Sequence, residues 1–402
     1  MPSVPRALAC LAGLMLLAPA PAAYAARERP QPRAGSAILV DARSGEVLFE
    51  RGADRRRAIA STTKLMTALL TLERARPDAL FTAPPYEALA VESKIDLQAG
   101  ERMRVRDLLR ALLLESANDA AVTVAENISG SRPAFVRDMN RRARRLGLES
   151  TRYANPIGLD DPANYSTARD LAVLARTLMR DPRFERIVDL PRAELRSGAR
   201  RRVVENRNLL VRREPFVEGV KTGYTRQAGY VLVGAASGHG ARVVSVVLGE
   251  PSAIARDADS LELLRFGIDS FRRVAAIRPG RALARVPIAY GDGDLAALVP
   301  ERPVAVTVRR GERVSRRVSA PQELEGPLPA GARVGSVAAV YRDRVVGEVA
   351  LVTQRAVPGA GRLRRAASAL GLPVLSLCVL LAGTLISLRL RAIRIGRTRT
   401  RR

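Results

Sequence analysis

Apolar positions along this chain fall into four successive segments of different pattern. From Ala7 to Leu17, and again from Ala366 to Leu388, they run together without a charge. Between residues 36 and about 270 they alternate in places and recur at helical spacing in others, which predicts a mixed α/β (α+β) domain. From about 275 to 356 they form short β-type runs (Val304 to Val308, Val334 to Val340, Val345 to Val352) separated by Gly and Pro turns, which predicts a small all-β domain. In the first domain Ala37 to Val40 and Glu46 to Phe49 flank the turn Asp41 to Gly45, a hairpin signal. Three further runs, Val217 to Thr225, Tyr230 to Ala236 and Val243 to Leu248, follow near its end. The five together predict one antiparallel sheet built from both ends of the domain. The stretch from about 60 to 186 is helical in pattern, as in Asp107 to Leu114 and Asp170 to Met179, so helices flank the sheet.

The two uncharged runs read as addresses. Residues 1–25 carry one cation, Arg6, an apolar stretch and the small residues Ala23-Tyr24-Ala25, which predicts a secretory signal cleaved after Ala25. Ala366 to Leu388 is 23 residues long, roughly 34 Å as a helix, and predicts a transmembrane helix. Seven arginines follow it and three directly precede it, so residues 389–402 are expected to form a cytoplasmic Arg-rich tail with the body outside. The expected organisation is a signal at 1–25, a catalytic domain at 26–274, a β-domain at 275–356, a tether at 357–365, and a span at 366–388.

Charge sharpens this picture. The 402 residues hold 67 Lys plus Arg against 40 Asp plus Glu, a net charge of +27. Eleven arginines lie beyond Glu348, where there is no acid, so much of the excess is a topology signal and no nucleic-acid partner is expected. Two cysteines and one histidine exclude a disulfide framework and a multi-histidine metal site, so neither a metal nor a cofactor is expected. The basic residues are 64 Arg and only three Lys: Lys64, Lys94 and Lys221. Lysine can lose its proton when buried and act as a base, whereas arginine stays charged.

Two of these lysines lie in short polar constellations. Ser61 and Lys64 are three apart at the start of a helical run, so their side chains share a face, with free backbone N–H groups beside the hydroxyl. Ser116 and Asn118 follow the largely apolar run Leu108 to Leu114 and can turn a hydroxyl and an amide into one cleft. Lys221, Thr222 and Gly223 interrupt an otherwise apolar strand. There the first two offer a cation and a hydroxyl to a carboxylate, and Gly223 would let a ligand backbone lie against the strand.

The order and spacing of these three groups, SxxK, SxN and KTG, resemble the signature set of serine penicillin-binding proteins and class A β-lactamases. Phe135 to Asn140, Asn155 to Leu159, Tyr165 to Leu171, Asn206 to Leu210 and Gly219 to Thr225 resemble more narrowly the low-molecular-mass penicillin-binding proteins that act as D-alanyl-D-alanine carboxypeptidases. Residues about 275 to 356, with Tyr290 to Asp294, resemble that family's C-terminal β-domain. The resemblance implies a serine peptidase, inhibited by β-lactams, acting on peptidoglycan stem peptides outside the cytoplasmic membrane of a bacterium. Ser61 would be the nucleophile, Lys64 the base and Ser116 the proton relay. Asn118 would hold the peptide, the N–H groups of Ser61 and Tyr224 would form the oxyanion hole, and Lys221 with Thr222, assisted by Arg256, would bind the terminal carboxylate.

Alternatives are a β-lactamase, a DD-endopeptidase, and a non-catalytic envelope protein or anionic-polymer binder using the +15 body. No second carboxylate motif for deacylation accompanies the set, which disfavours the first of these. Asn164 stands where many relatives carry a histidine, and a true span replaces the family's usual amphipathic anchor. The single histidine, His239, is expected in a surface turn.

Overall fold

The computed structural model describes residues 29–290, 293–369 and 374–399. The expected signal at 1–25 lies outside the described residues, as do 370–373 within the expected span.

The five predicted runs form one sheet. Its strands are β1 (Ser36–Asp41), β2 (Val47–Arg51), β3 (Val217–Thr225), β4 (Gly229–Gly238) and β5 (Ala241–Glu250). The order is β2-β1-β5-β4-β3, with every pair antiparallel. Alternation sends Ile38 and Val40 to one face and Leu39 to the other. Both faces are covered, so β3 to β5 read as nearly continuous apolar runs. On one side Leu39, Phe49, Val243 and Val247 pack with Leu263, Leu264 and Ile268 of the C-terminal helix Ala253–Asp269.

The other face carries the helical layer: α1 (Lys64–Arg74), α2 (Asn118–Ser129), α3 (Arg132–Arg145) and α4 (Ala168–Leu178). Helix α1 is buried all round from Lys64 to Leu72, the signature of a central helix rather than a surface one. Two of its neighbours, α3 and α4, are amphipathic helices with hydroxyl caps. Ser131 accepts from Ala134 N at α3, and Thr167 accepts from Asp170 N at α4. The predicted helical run Asp107 to Leu114 divides into a short α-helix, Val105–Arg110, and a wider π-helical turn, Ala111–Glu115, which ends on Ser116 in the left-handed conformation.

The C-terminal β-domain holds a five-stranded antiparallel sheet with spatial order Ala284–Pro287, Leu295–Pro300, Arg344–Thr353, Arg333–Tyr341, Ser315–Ser319. A separate ladder joins Phe271–Ile277 to Val304–Arg309, so the strand that straddles the expected boundary at 274/275 pairs within the second unit. Glu46, in the first hairpin turn, receives Arg309 and Arg342 at 2.7 Å each and ties the two units together.

Beyond the β-domain come helices Arg362–Ala369 and Val374–Arg399. The uncharged part of the latter, Val374 to Leu388, is 15 residues, about 22 Å of helix against the roughly 30 Å of a hydrocarbon core. Among the described residues no helix is long and apolar enough to cross a membrane.

Candidate active site

The 3₁₀ turn Ala60–Thr63 leads into α1 and packs against the edge strand β3. It leaves Ser61 half-buried at the surface of the core and drives Lys64, the first residue of a fully buried helix, inside with no exposed area. Lys64 Nζ lies 2.9 Å from Ser61 Oγ and donates to the carbonyl of Ile157 at 2.6 Å. That carbonyl is aimed by its own loop. Asn155 Oδ1 accepts the N–H groups of Ile157, Gly158 and Leu159, and Thr67 donates to Pro156 O at 2.7 Å. Gly158, at φ +88°, lies so close to the Ser61 turn that a Cβ would come within 2.0 Å of Ala60 O.

Burial holds the Lys64 ammonium well below the ordinary lysine range, and the positive charge of Lys221 pushes it the same way, against Glu92 and Asp119. Lys221, 1% exposed on β3, is itself pushed down to about 7 by burial and by the nearby cations Arg207 and Arg256, with Glu115 opposing. Its Nζ donates to Thr222 O at 3.0 Å, and Thr222 is buried beside it.

Gly223 has a different reason from the one its sequence suggests. A Cβ there would meet the backbone N of Ser61 at 2.8 Å and the Cβ of Ala60 at 3.0 Å. The position is glycine because the Ser61 turn, rather than a ligand, lies against the strand.

The structure brings the other candidates to the same wall. The turn Ala111–Glu115 contacts both α1 and β3, and Ser116 follows it, buried, at φ 65°, ψ 27°. Ala60, at φ 45°, is a second non-glycine residue in the left-handed region, and both flank the polar cluster. Asn118 opens α2 and donates from Nδ2 to Glu92 at 2.6 Å. Tyr224 is exposed and its ring lies 4.4 Å from that of Tyr230, over which Arg256 sits at 5.9 Å. The Arg256 guanidinium is paired to Asp257 at 2.7 Å, so its influence on the cluster comes through Tyr230 and through its charge on Lys221.

Three other residues that the sequence singled out lie outside the cluster. Lys94 pairs with Asp96 at 3.3 Å, and His239 occupies the turn between β4 and β5, 3.5 Å from Asp269. Asn164 is buried and donates to Thr63 at 3.2 Å, a structural link behind the Ser61 turn. The Ile157 carbonyl, Glu92 and the Arg207–Glu115 ion pair were not readable as site groups. Only the sequence blocks Asn155 to Leu159 and Asn206 to Leu210 hinted at two of them. Among the described residues no group of His, Cys, Asp and Glu is placed to hold a metal ion.

A serine and a buried lysine one turn apart, on a helix backed by an antiparallel sheet whose edge strand carries a second buried lysine, define a serine peptidase of the penicillin-binding-protein fold. Residues 23–252 match the D-alanyl-D-alanine carboxypeptidase family, and residues 271–359 match the penicillin-binding protein 5 C-terminal domain. D-alanyl-D-alanine carboxypeptidase DacF of Bacillus subtilis is 30% identical over 365 residues, covering 87% of this chain and 94% of that protein. D-alanyl-D-alanine carboxypeptidase DacA of Escherichia coli K12 is 34% identical over 346 residues, covering 82% and 85%. The crystal structure of penicillin-binding protein 6B from Escherichia coli superposes with a TM-score of 0.60 at 29% identity, covering 81% of this chain and 97% of that one. The chain belongs to the D-alanyl-D-alanine carboxypeptidase family.

Proposed function

We propose that this protein removes the terminal D-alanine from peptidoglycan pentapeptide stems through an acyl-enzyme at Ser61. The observation that carries this reading is the buried Lys64 amine, 2.9 Å from Ser61 Oγ and disfavoured as a cation by its surroundings. Lys64 takes the Ser61 proton as Oγ attacks the carbonyl carbon of the D-Ala-D-Ala bond. The N–H groups of Ser61 and Tyr224 receive the oxyanion. Ser116 relays a proton to the leaving amine as the C–N bond breaks, and water then hydrolyses the ester. Asn118 holds the peptide, while Lys221 and Thr222, with Arg256 nearby, bind the carboxylate of the departing D-alanine. β-Lactams acylate the same serine. In this division residues 26–274 carry the chemistry, 275–356 act as a spacer and 357–365 as a tether. The uncharged run 366–388, with the Arg tail inside, attaches the body to the outer face of the cytoplasmic membrane after export by residues 1–25. The absence of charge along the run and the arginine asymmetry around it in the sequence support that anchor.

The test is D-alanine release from a defined pentapeptide, run beside a cross-linked dimer and nitrocefin. Release from the pentapeptide is expected to dominate; faster nitrocefin turnover would make the protein a β-lactamase, and preference for the dimer an endopeptidase. Across pH, kcat/KM should be bell-shaped, because Lys64 must be neutral and Lys221 charged. Lys221 loses its proton as pH rises through about 7, so the alkaline side should begin near there. A rate still rising steadily through pH 9 would contradict the carboxylate role of Lys221.

Gly223→Ala offers a second check, because its Cβ must displace the Ser61 N–H. We expect about 1–3 kcal/mol of lost stability in thermal unfolding from the overpacking. Penicillin acylation should slow by roughly 10²-fold or more through the disturbed oxyanion donor. Acylation at the parental rate would remove Ser61 N–H from the oxyanion hole.

A further inference from the structure

Between the strands Leu80–Thr82 and Arg102–Arg104 the chain crosses the edge of the site without regular structure. The crossing is pinned at its far end. The Asp119 carboxylate accepts the N–H groups of Ile95 and Leu97 at 3.0–3.2 Å, and Ser93 O accepts Asn118 N at 2.7 Å. This places the half-buried Glu92 against the Asn118 side chain, where Oε2 accepts from Nδ2 at 2.6 Å. Glu92 is in turn held by Tyr86, whose hydroxyl donates to the same oxygen, and by Leu89 N–H on Oε1 at 3.1 Å.

An ionised carboxylate can only accept, so it dictates which end of the Asn118 amide faces it. It engages one hydrogen of Nδ2 and leaves the other for a ligand. Desolvation alone would raise the Glu92 carboxyl. The hydrogen bonds from Tyr86, Asn118 and Leu89, together with the charge of Lys64, outweigh it and leave Glu92 below its ordinary range.

We propose that Glu92 is a positioning residue for acylation, fixing the Asn118 amide so that its second N–H meets a backbone carbonyl of the bound stem peptide. This deepens the carboxypeptidase reading and rests on it. The same carboxylate faces Lys64, as do Asp119 from α2 and, with opposite sign, Lys221 from β3. Glu92 favours the Lys64 cation, so deleting its charge makes the neutral amine easier to form. The acid side of the activity profile then moves to lower pH.

The experiment uses the full-length protein with Glu92→Ala, Glu92→Gln and Tyr86→Phe, measuring D-alanine release, fluorescent-penicillin acylation and acyl-enzyme lifetime across pH. Glu92→Ala should lower kcat/KM for the pentapeptide roughly tenfold, the worth of one hydrogen bond to a charged group. Glu92→Gln keeps an acceptor and should recover most of that loss, and both variants should move the acid limb to lower pH. Tyr86→Phe should give a smaller loss with the limb unmoved, since the charge remains. Glu92→Ala with parental kcat/KM and an unmoved limb overturns the proposal. A Glu92→Gln enzyme that acylates normally but accumulates acyl-enzyme overturns it too, making Glu92 the base for the deacylating water. If the parent protein neither binds penicillin nor releases D-alanine, the underlying reading itself fails, an outcome separate from either of these.

Discussion

Ser61→Ala is expected to abolish covalent labelling by fluorescent penicillin and to lower D-alanine release by at least about 10⁴-fold, since it removes the hydroxyl that lies against the Lys64 amine. Ser61 is half-buried within the turn that packs on β3, so loss of its hydroxyl removes one oxygen without disturbing the core. Thermal unfolding should therefore stay near the parental value while activity vanishes. Labelling that persists in this variant would place the nucleophile elsewhere and overturn the assignment of the whole cluster.

Lys64→Arg should be nearly as damaging, and for a different reason. Arginine cannot give up its proton, so it retains the charge of lysine while losing the base. The acylation rate should drop by about 10³-fold or more, a typical worth for a positioned general base. In the parent protein the rate should rise with pH as Lys64 becomes neutral. Burial, reinforced by Lys221, sets that rise well below the pH at which a solvated lysine would deprotonate. Replacing Lys221 by Met removes the like charge and should shift the rise to higher pH, apart from any effect on carboxylate binding. An acid limb indifferent to both lysines would show that another group is the base. Guanidinium is also bulkier than ammonium, and position 64 is fully buried, so a lower melting temperature is expected for Lys64→Arg but not for Ser61→Ala.

Much of the architecture was legible from period alone. Residues spaced by two in the runs at 37, 46, 217, 230 and 243 had to share one side of a sheet and their immediate neighbours the other, as Ile38 and Val40 do against Leu39. Gly and Pro punctuation separated the later β-runs in the same way. Among 64 arginines the retained lysines stood out by residue type, and two of the three became the buried amines of the site. The membrane span was expected from a run of uncharged residues, but the described part of that run falls short of a bilayer's thickness as a helix.

The remaining parts were hidden because each is a relation between distant segments. Glu92 lies in none of the three motifs, yet it binds Asn118, 26 residues on. The Ile157 carbonyl carries no side-chain signature at all, and it reaches Lys64 across 93 residues. Gly223 was legible as a place for close approach but not as to what approaches. Local sequence determined which residues could be helix, strand, nucleophile or base, because periodicity and side-chain chemistry act over a few positions. Only the tertiary structure decided that Lys64 would be desolvated beside Lys221 and that a carboxylate would hold the Asn118 amide. Desolvation and Coulomb interaction depend on distance through space, which the packing of α1, β3 and the 83–101 crossing alone sets.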